Sequence, residues 1–349
     1  MGLTKGIGPD TIDERLRSIQ TLSWENSAAK DAHGRPYFPK ERAEEFHAPI
    51  VSQAMADRFR GVEFPGGKGY AVVLTHDIDL LRPSMPRRVI NSGKWLSKGK
   101  LSDSFREIHS PAGLPHAYSD LKSIAEQEEE RGSHSTFFVM NAPKDHTGAG
   151  YSLSDIAEQL EAVRRKGSEV ALHGSYDAGH SPEKIRAEKE GMEKGLGIKV
   201  TGYRNHYLRF QVPSSFEYLA QAGFEYDSTI GFSDNYGFRN GMVHPYHPYL
   251  DDQEQSSILE LPLAVMDCSL YSYMGLNPSE GRDICFELIM QTKKLHGTLV
   301  ILWHNTTFFD PRYGKWGDLY WRILDKVKED GGWLCNGSEL SNWWVDNGY

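Results

Sequence analysis

The sequence predicts an α/β protein built on a parallel sheet. Apolar, β-branched runs recur from residue 70 onward, helical patterns separate them, and polar residues follow directly on the runs. Alternation of this length implies parallel strands joined by helices. The strands are expected at 71–75, 136–140, 169–173, 200–203, 224–226, 258–263 and 299–303. Helices are expected at 117–131, at 152–167, from Ser181-Pro182, at 214–222, at 279–295 and at 317–330, with a last strand–helix pair at 333–344. Ser152 with Asp155 looks like a capping box, and Pro182 suits a first helical position. Gly132, Gly167, Gly223 and Gly297 mark helix ends. About seven strands would suit a barrel or a doubly wound sheet equally. With no GxGxxG and no P-loop, the nucleotide-binding sheets lose weight.

Residues 1–66 read as a polar extension that packs on the main domain, 67–349. Short helices are expected within 10–24 and 40–59, either side of the turn Gly34-Arg35-Pro36. The Gly-rich stretch 63–69 is the natural boundary.

Composition removes several classes. The 349 residues are 39% hydrophobic and 25% charged, with a net charge of −9, which argues against the basic face of a nucleic-acid binder. Cys268, Cys285 and Cys335 are odd in number and widely spaced, so they give neither a disulfide framework nor a Cys-x-x-Cys metal site. No run approaches the roughly 18 apolar residues of a membrane span. The first residues lack the apolar core of a signal peptide, so a cytoplasmic location is expected.

The polar residues carry the chemistry. Asp77 and Asp79 follow the first strand, His173 ends the third, Arg204 follows the fourth, Asp227 the fifth, and His304 follows 299–303. In an α/β barrel the C-terminal ends of strands surround the active site. Two carboxylates at alternate positions of an extended segment point the same way and repel unless a cation or arginine intervenes. Asp77 and Asp79 therefore read as one metal ligand and one general base. A histidine alone at a strand end is more often hydrogen-bonded scaffold, so His173 and His304 gain meaning only jointly. A buried Arg204 needs an anion, which Asp77 would supply, and Asp227 could do the same for His304.

In this order the residues resemble the polysaccharide deacetylase (NodB-homology, carbohydrate esterase family four) domain, over roughly residues 68–349. Ser135 to Val139, Gly297 to Asn305 and the Thr75-His76-Asp77-Ile78-Asp79 form of the first motif are similar to that family, and the last, with GFRNG at 237–241 and ELPLAVMD at 260–267, to a branch from bacterial glycan-biosynthesis clusters. The resemblance implies a distorted (β/α)7 TIM-like barrel with an N-terminal helical extension. It implies a divalent metal, zinc first and cobalt, nickel or manganese behind it, and hydrolysis of a C–N amide bond in an N-acetylated carbohydrate or other small amide. Asp77 would be the base, Asp79 and His173 metal ligands, Arg204 the group that holds Asp77, His304 the general acid and Asp227 its orienter. The family's second motif ends in a histidine, and here Asp177 stands in that place. Asp177 is thus the expected third ligand, with His180, His244 and His247 as alternatives. His206 replaces a usual proline and is expected, with Tyr207 and Trp303, to touch substrate. Tyr203, Tyr246, Tyr249 and Trp316 offer further stacking faces. The rival readings are a cyclic imide or ureide hydrolase on the same fold, a catalytically impaired carbohydrate-binding homologue, and a glycoside hydrolase with paired carboxylates.

Overall fold

The computed structural model describes residues 12–109, 117–142, 144, 146, 147, 150–251 and 254–349; the first two residues of the helix expected at 10–24 lie outside these. Among the described residues nine strands form one sheet: β1 Ala71–Ile78, β2 Thr136–Val139, β3 Glu169–Gly174, β4 Gly202–Asn205, β5 Tyr226–Asp227, β6 Leu259–Glu260, β7 Leu263–Met266, β8 Thr298–Leu302 and β9 Trp333–Cys335. Their order is β6-β5-β4-β3-β2-β1-β8-β7, every pair parallel. Helices connect them as the alternation requires, except that among the described residues none lies between β5 and β6 or between β6 and β7. The capping box at Ser152 and Asp155 forms, and Ser181 caps Pro182–Leu196.

The sheet curls into a distorted barrel because one segment carries both its edges. The expected strand at 258–263 is split: β6 lies on β5 and β7 on β8, with Leu261 and Pro262 between them. Proline has no N–H for the ladder. The flanking amides reach separate acceptors instead, Leu261 N to Asp227 O at 2.8 Å and Leu263 N to Ile230 O at 2.9 Å. A second distortion lies in β1, whose first residues pair with β9 and whose last pair with β2.

Alternation decides which side chains enter the barrel. Ala71, Val73, Phe138, Ala171, Val300 and Leu302 join the inner core. Val72, Leu74, Leu299 and Ile301 face the helices Pro278–Lys294 and Gly314–Glu329 through Leu288, Ile289, Ile323 and Leu324. The inward parity continues through Thr75 and Asp77 on β1, His173 on β3 and Arg204 on β4. β4 begins two residues later than expected, so Arg204 sits inside the strand. Past Pro278–Lys294 the left-handed residue is His296 (φ 51) rather than Gly297.

The extension covers the seam where β5 to β7 are short. Its helices are Glu14–Gln20, Ala43–His47 and Ile50–Ala54, the expected 40–59 helix being broken around Pro49. Trp24, Phe38 and Phe46 pack on Phe232. Val51 N donates to Gly241 O at 3.0 Å, and Arg239 pairs with Glu25 at 2.7 Å. No helix among the described residues is long and apolar enough to cross a membrane.

Candidate metal centre and its cavity

At the C-terminal mouth, one ligand atom from each of Asp79, His173 and His206 lies within 4.8 Å of the others. Asp79 and His173 are placed by extended backbone, and His206 opens the short 3-10 turn His206–Leu208 that follows β4. Asp79 follows β1 on the same side as Asp77. His173, the last residue but one of β3, donates its Nδ1–H to Arg204 O at 3.0 Å, which leaves Nε2 facing inward. His206 stands two residues past Arg204, the same alternation as Asp77 and Asp79. His173 Nε2 is 3.2 Å from Asp79 Oδ1, and His206 Nε2 is 3.8 Å from that oxygen. Asp79 Oδ1 and His173 Nε2 are buried, and apart from each other neither has a hydrogen-bond partner among the described residues. Native proteins rarely leave such atoms orphaned. Two nitrogens and a carboxylate oxygen facing one point fit a divalent cation, and zinc accepts that donor set.

The electrostatics agree. Burial alone would raise the Asp79 carboxyl, but His206, His173 and His304 hold it well below the usual carboxylate range. Burial alone would lower His173, and Asp77 and Asp79 raise it.

Asp77 is buried beside the cluster. Arg204 Nη1 donates to Asp77 Oδ1 at 2.9 Å and to Thr75 Oγ1 at 2.8 Å, while its other donors reach Ser228 O and Ser228 Oγ at 2.8 Å each. The guanidinium lies 4.4 Å from the Phe138 ring centroid. On the opposite side His304 donates Nδ1–H to Asp267 Oδ1 at 2.6 Å, and its Nε2 is 3.6 Å from Asp79 Oδ2. Burial would lower the His304 imidazolium, but Asp267, backed by Asp79 and Asp77, pushes it up to about 10.

The geometry corrects three expectations. Asp177 is not in the cluster: its side chain is half exposed and pairs with Arg209 at 2.7 Å, which lowers its carboxyl. Of the alternatives, His180 is exposed, His244 is buried between Ser52 Oγ (2.9 Å) and Leu295 O (3.0 Å), and His247 bonds Ile258 O at 2.9 Å. Asp227 does not orient His304. It accepts from Thr229 N and Oγ1 at 2.9 and 2.6 Å and faces Glu260, whose carboxyl burial and Asp227 push well up. Asp267 takes that role, and it could have been found by the rule that found the others, since it directly follows the apolar run of β7. Trp303 is fully buried core, donating to Trp316 O at 3.0 Å.

A cavity of about 260 Å³ opens onto this centre, lined among others by Asp77, Asp79, His206, Tyr207, Tyr271 and His304. Tyr207 was the expected aromatic; Tyr271 and Tyr273, also at the lining, were not. One wall comes from the extension. Arg35, paired with Asp31 at 2.6 Å, donates to Tyr207 O at 3.1 Å and to Tyr273 OH at 3.4 Å. It thus bars the mouth from the β4 side to the β7 side. Tyr207 (φ 62) and Leu208 (φ 54) are left-handed, a conformation that costs non-glycine residues about 1 kcal/mol or more and clusters at functional sites.

Comparison with known proteins agrees at the level of fold. A protein from Mycobacterium smegmatis assigned as a polysaccharide deacetylase is 21% identical, with a TM-score of 0.54 over 80% of this chain and 92% of that one. PuuE allantoinase is 15% identical, with a TM-score of 0.53 over 82% of this chain and 94% of that one. No family model and no curated sequence matches the chain. What these likenesses show is a fold shared with both proteins.

Proposed function

We propose that the chain is a metal-dependent hydrolase of a C–N amide bond, acting by N-deacetylation of an N-acetylated sugar or glycan precursor. The observation that carries this reading is the Asp79–His173–His206 cluster flanked by two differently prepared groups, Asp77 with Arg204 and His304 with Asp267. Asp79, His173 and His206 would hold a divalent cation, zinc first, which would supply Lewis acidity to the carbonyl and lower the pKa of water. Asp77 accepts the proton of the attacking water. Arg204 fixes one of its oxygens and leaves the other, 3.6 Å from His173 Nε2, for that task. His304 enters protonated and gives its Nε2 proton to the departing nitrogen, while Asp267 orients the ring and steadies the charge. The products are acetate and a free amine.

The cavity size and the Arg35 bar favour a single acylated unit, free or at a chain end. The same small cavity favours a second reading, opening of a cyclic imide or ureide. Elemental analysis of the purified chain, followed by assays of metal-stripped and metal-restored protein, tests both. Acetate release from N-acetylated sugars that disappears on stripping and returns with zinc supports deacetylation. Ring opening without acetate release assigns the second reading, and neither product leaves a binding protein.

A further inference from the structure

Between β1 and the helix Leu121–Glu130 the chain inserts a hairpin of two helices, Met85–Ser97 and Leu101–His109, reversing around Gly99 (φ 72). A surface helix ordinarily hides its apolar stripe and shows its polar one. This hairpin does the reverse. Its buried side chains are Arg88, Asn91, Ser92, Ser104 and Glu107. They join one another: Arg88 Nε donates to Glu107 O at 2.6 Å, Asn91 Nδ2 to Glu107 Oε1 at 3.1 Å, and Ser92 Oγ bonds Ser104 Oγ at 2.7 Å. Met85, Val89, Ile90, Leu96, Leu101 and Phe105 are each more than half exposed. They are six of the eleven large apolar side chains exposed among the described residues, a concentration that marks an interaction surface.

Charge says which kind. The hairpin, residues 85–109, holds six basic side chains against two acids, Asp103 and the buried Glu107, in a chain of net charge −9. Lys94, Lys98 and Lys100 are exposed. Lysine is depleted at protein–protein interfaces, whereas lysines beside apolar side chains are the composition of a helix lying in an anionic bilayer surface. At 13 and 9 residues neither helix reaches the roughly 20 needed to span.

We propose that this hairpin docks the protein on an anionic lipid surface, with Met85, Val89, Leu96, Leu101 and Phe105 at the acyl boundary and Lys94 and Lys100 at the headgroup phosphates. The hairpin is tied to the segment that follows His304. Lys98 Nζ donates to Pro311 O at 2.6 Å, and Asn91 Nδ2 reaches Tyr118 OH at 3.4 Å, which donates to Asp310 Oδ2 at 2.6 Å. Docking therefore brings the segment that follows His304 close to the headgroups.

Vesicle flotation of the full chain tests this, with phosphatidylcholine alone and with about one part in four phosphatidylglycerol. The variants are Leu101→Ser with Phe105→Ser, and Lys94→Glu with Lys100→Glu, each checked for native circular dichroism and melting. The expected result is about tenfold or more binding in favour of anionic vesicles, reduced about tenfold by either double variant and weakened by salt. Cleavage of a water-soluble substrate by these variants stays unchanged, because none of the four residues lines the cavity. Absence of flotation, or equal flotation of wild type and variants, overturns the proposal. So does light scattering that shows a wild-type dimer turned monomer by Leu101→Ser with Phe105→Ser and no vesicle binding, which assigns the face to a second copy.

Discussion

At the scale of single residues, the proposed mechanism separates the groups that would hold a cation from those that would move protons. Asp77→Asn keeps the hydrogen bond from Arg204 but cannot accept a proton, so kcat is expected to fall by about 10²–10⁴ with bound zinc unchanged by elemental analysis. His206→Ala removes a donor of the cluster, and zinc affinity should fall by more than the roughly 10–100-fold typical of an outer partner. Asp177→Ala, in contrast, should leave metal content where it was; loss of zinc there would return Asp177 to the cluster. Asp267→Asn removes the charge that lifts His304 to about 10. The alkaline limb of the kcat profile should then move down by about 1–3 pH units. Asp77, Asp79, His173, Arg204 and His304 were legible because each directly follows or ends an apolar run. Asp177 misled because a motif position was read without its neighbour: Arg209, 32 residues later, competes for that carboxylate. His206 was seen but given to substrate, since its alternation with Arg204 matters only once β4 runs as far as Asn205.

At the scale of elements, the extension is part of the barrel's core. Phe46 is fully buried against Trp24, Phe38 and Phe232. Phe46→Ala should therefore cost about 3–5 kcal/mol, read as a lowered urea midpoint with an unchanged slope. A cost under about 1 kcal/mol would mean that the seam closes without it. The long strands and helices were legible from their periodicity, from the glycines after Glu130, Arg165 and Gln221, and from caps such as Ser181. β5 and β6 have two residues each, too few to show any period, and only Pro262 hinted that their neighbourhood was broken. The helices at 85–109 escaped because their apolar side chains face outward, the opposite of the pattern by which a buried stripe is recognised.

At the scale of the whole molecule, the proposed metal and pH would act through the same few groups. Asp79 is depressed in the fold, so its contribution to stability is present above the ordinary carboxylate pKa of about 3.9 and is lost as pH falls through its folded value. His304 is raised. Its contribution is full below about 6.5 and is lost as pH rises toward about 10. Melting temperature should thus decline between neutral and alkaline pH, and the decline should flatten in Asp267→Asn. Zinc at about 100 times its dissociation constant should add about 2.7 kcal/mol, seen as a higher melting temperature in the wild type and not in His173→Ala.

Arg35 stands in a segment whose neighbours Trp24 and Phe38 seal the seam, and its own guanidinium limits what enters the mouth. Architecture and selectivity are therefore written into one stretch of chain. A descendant that came to accept longer substrates would have to loosen the strap that completes its own wall, so a broader diet would come at the expense of thermal endurance.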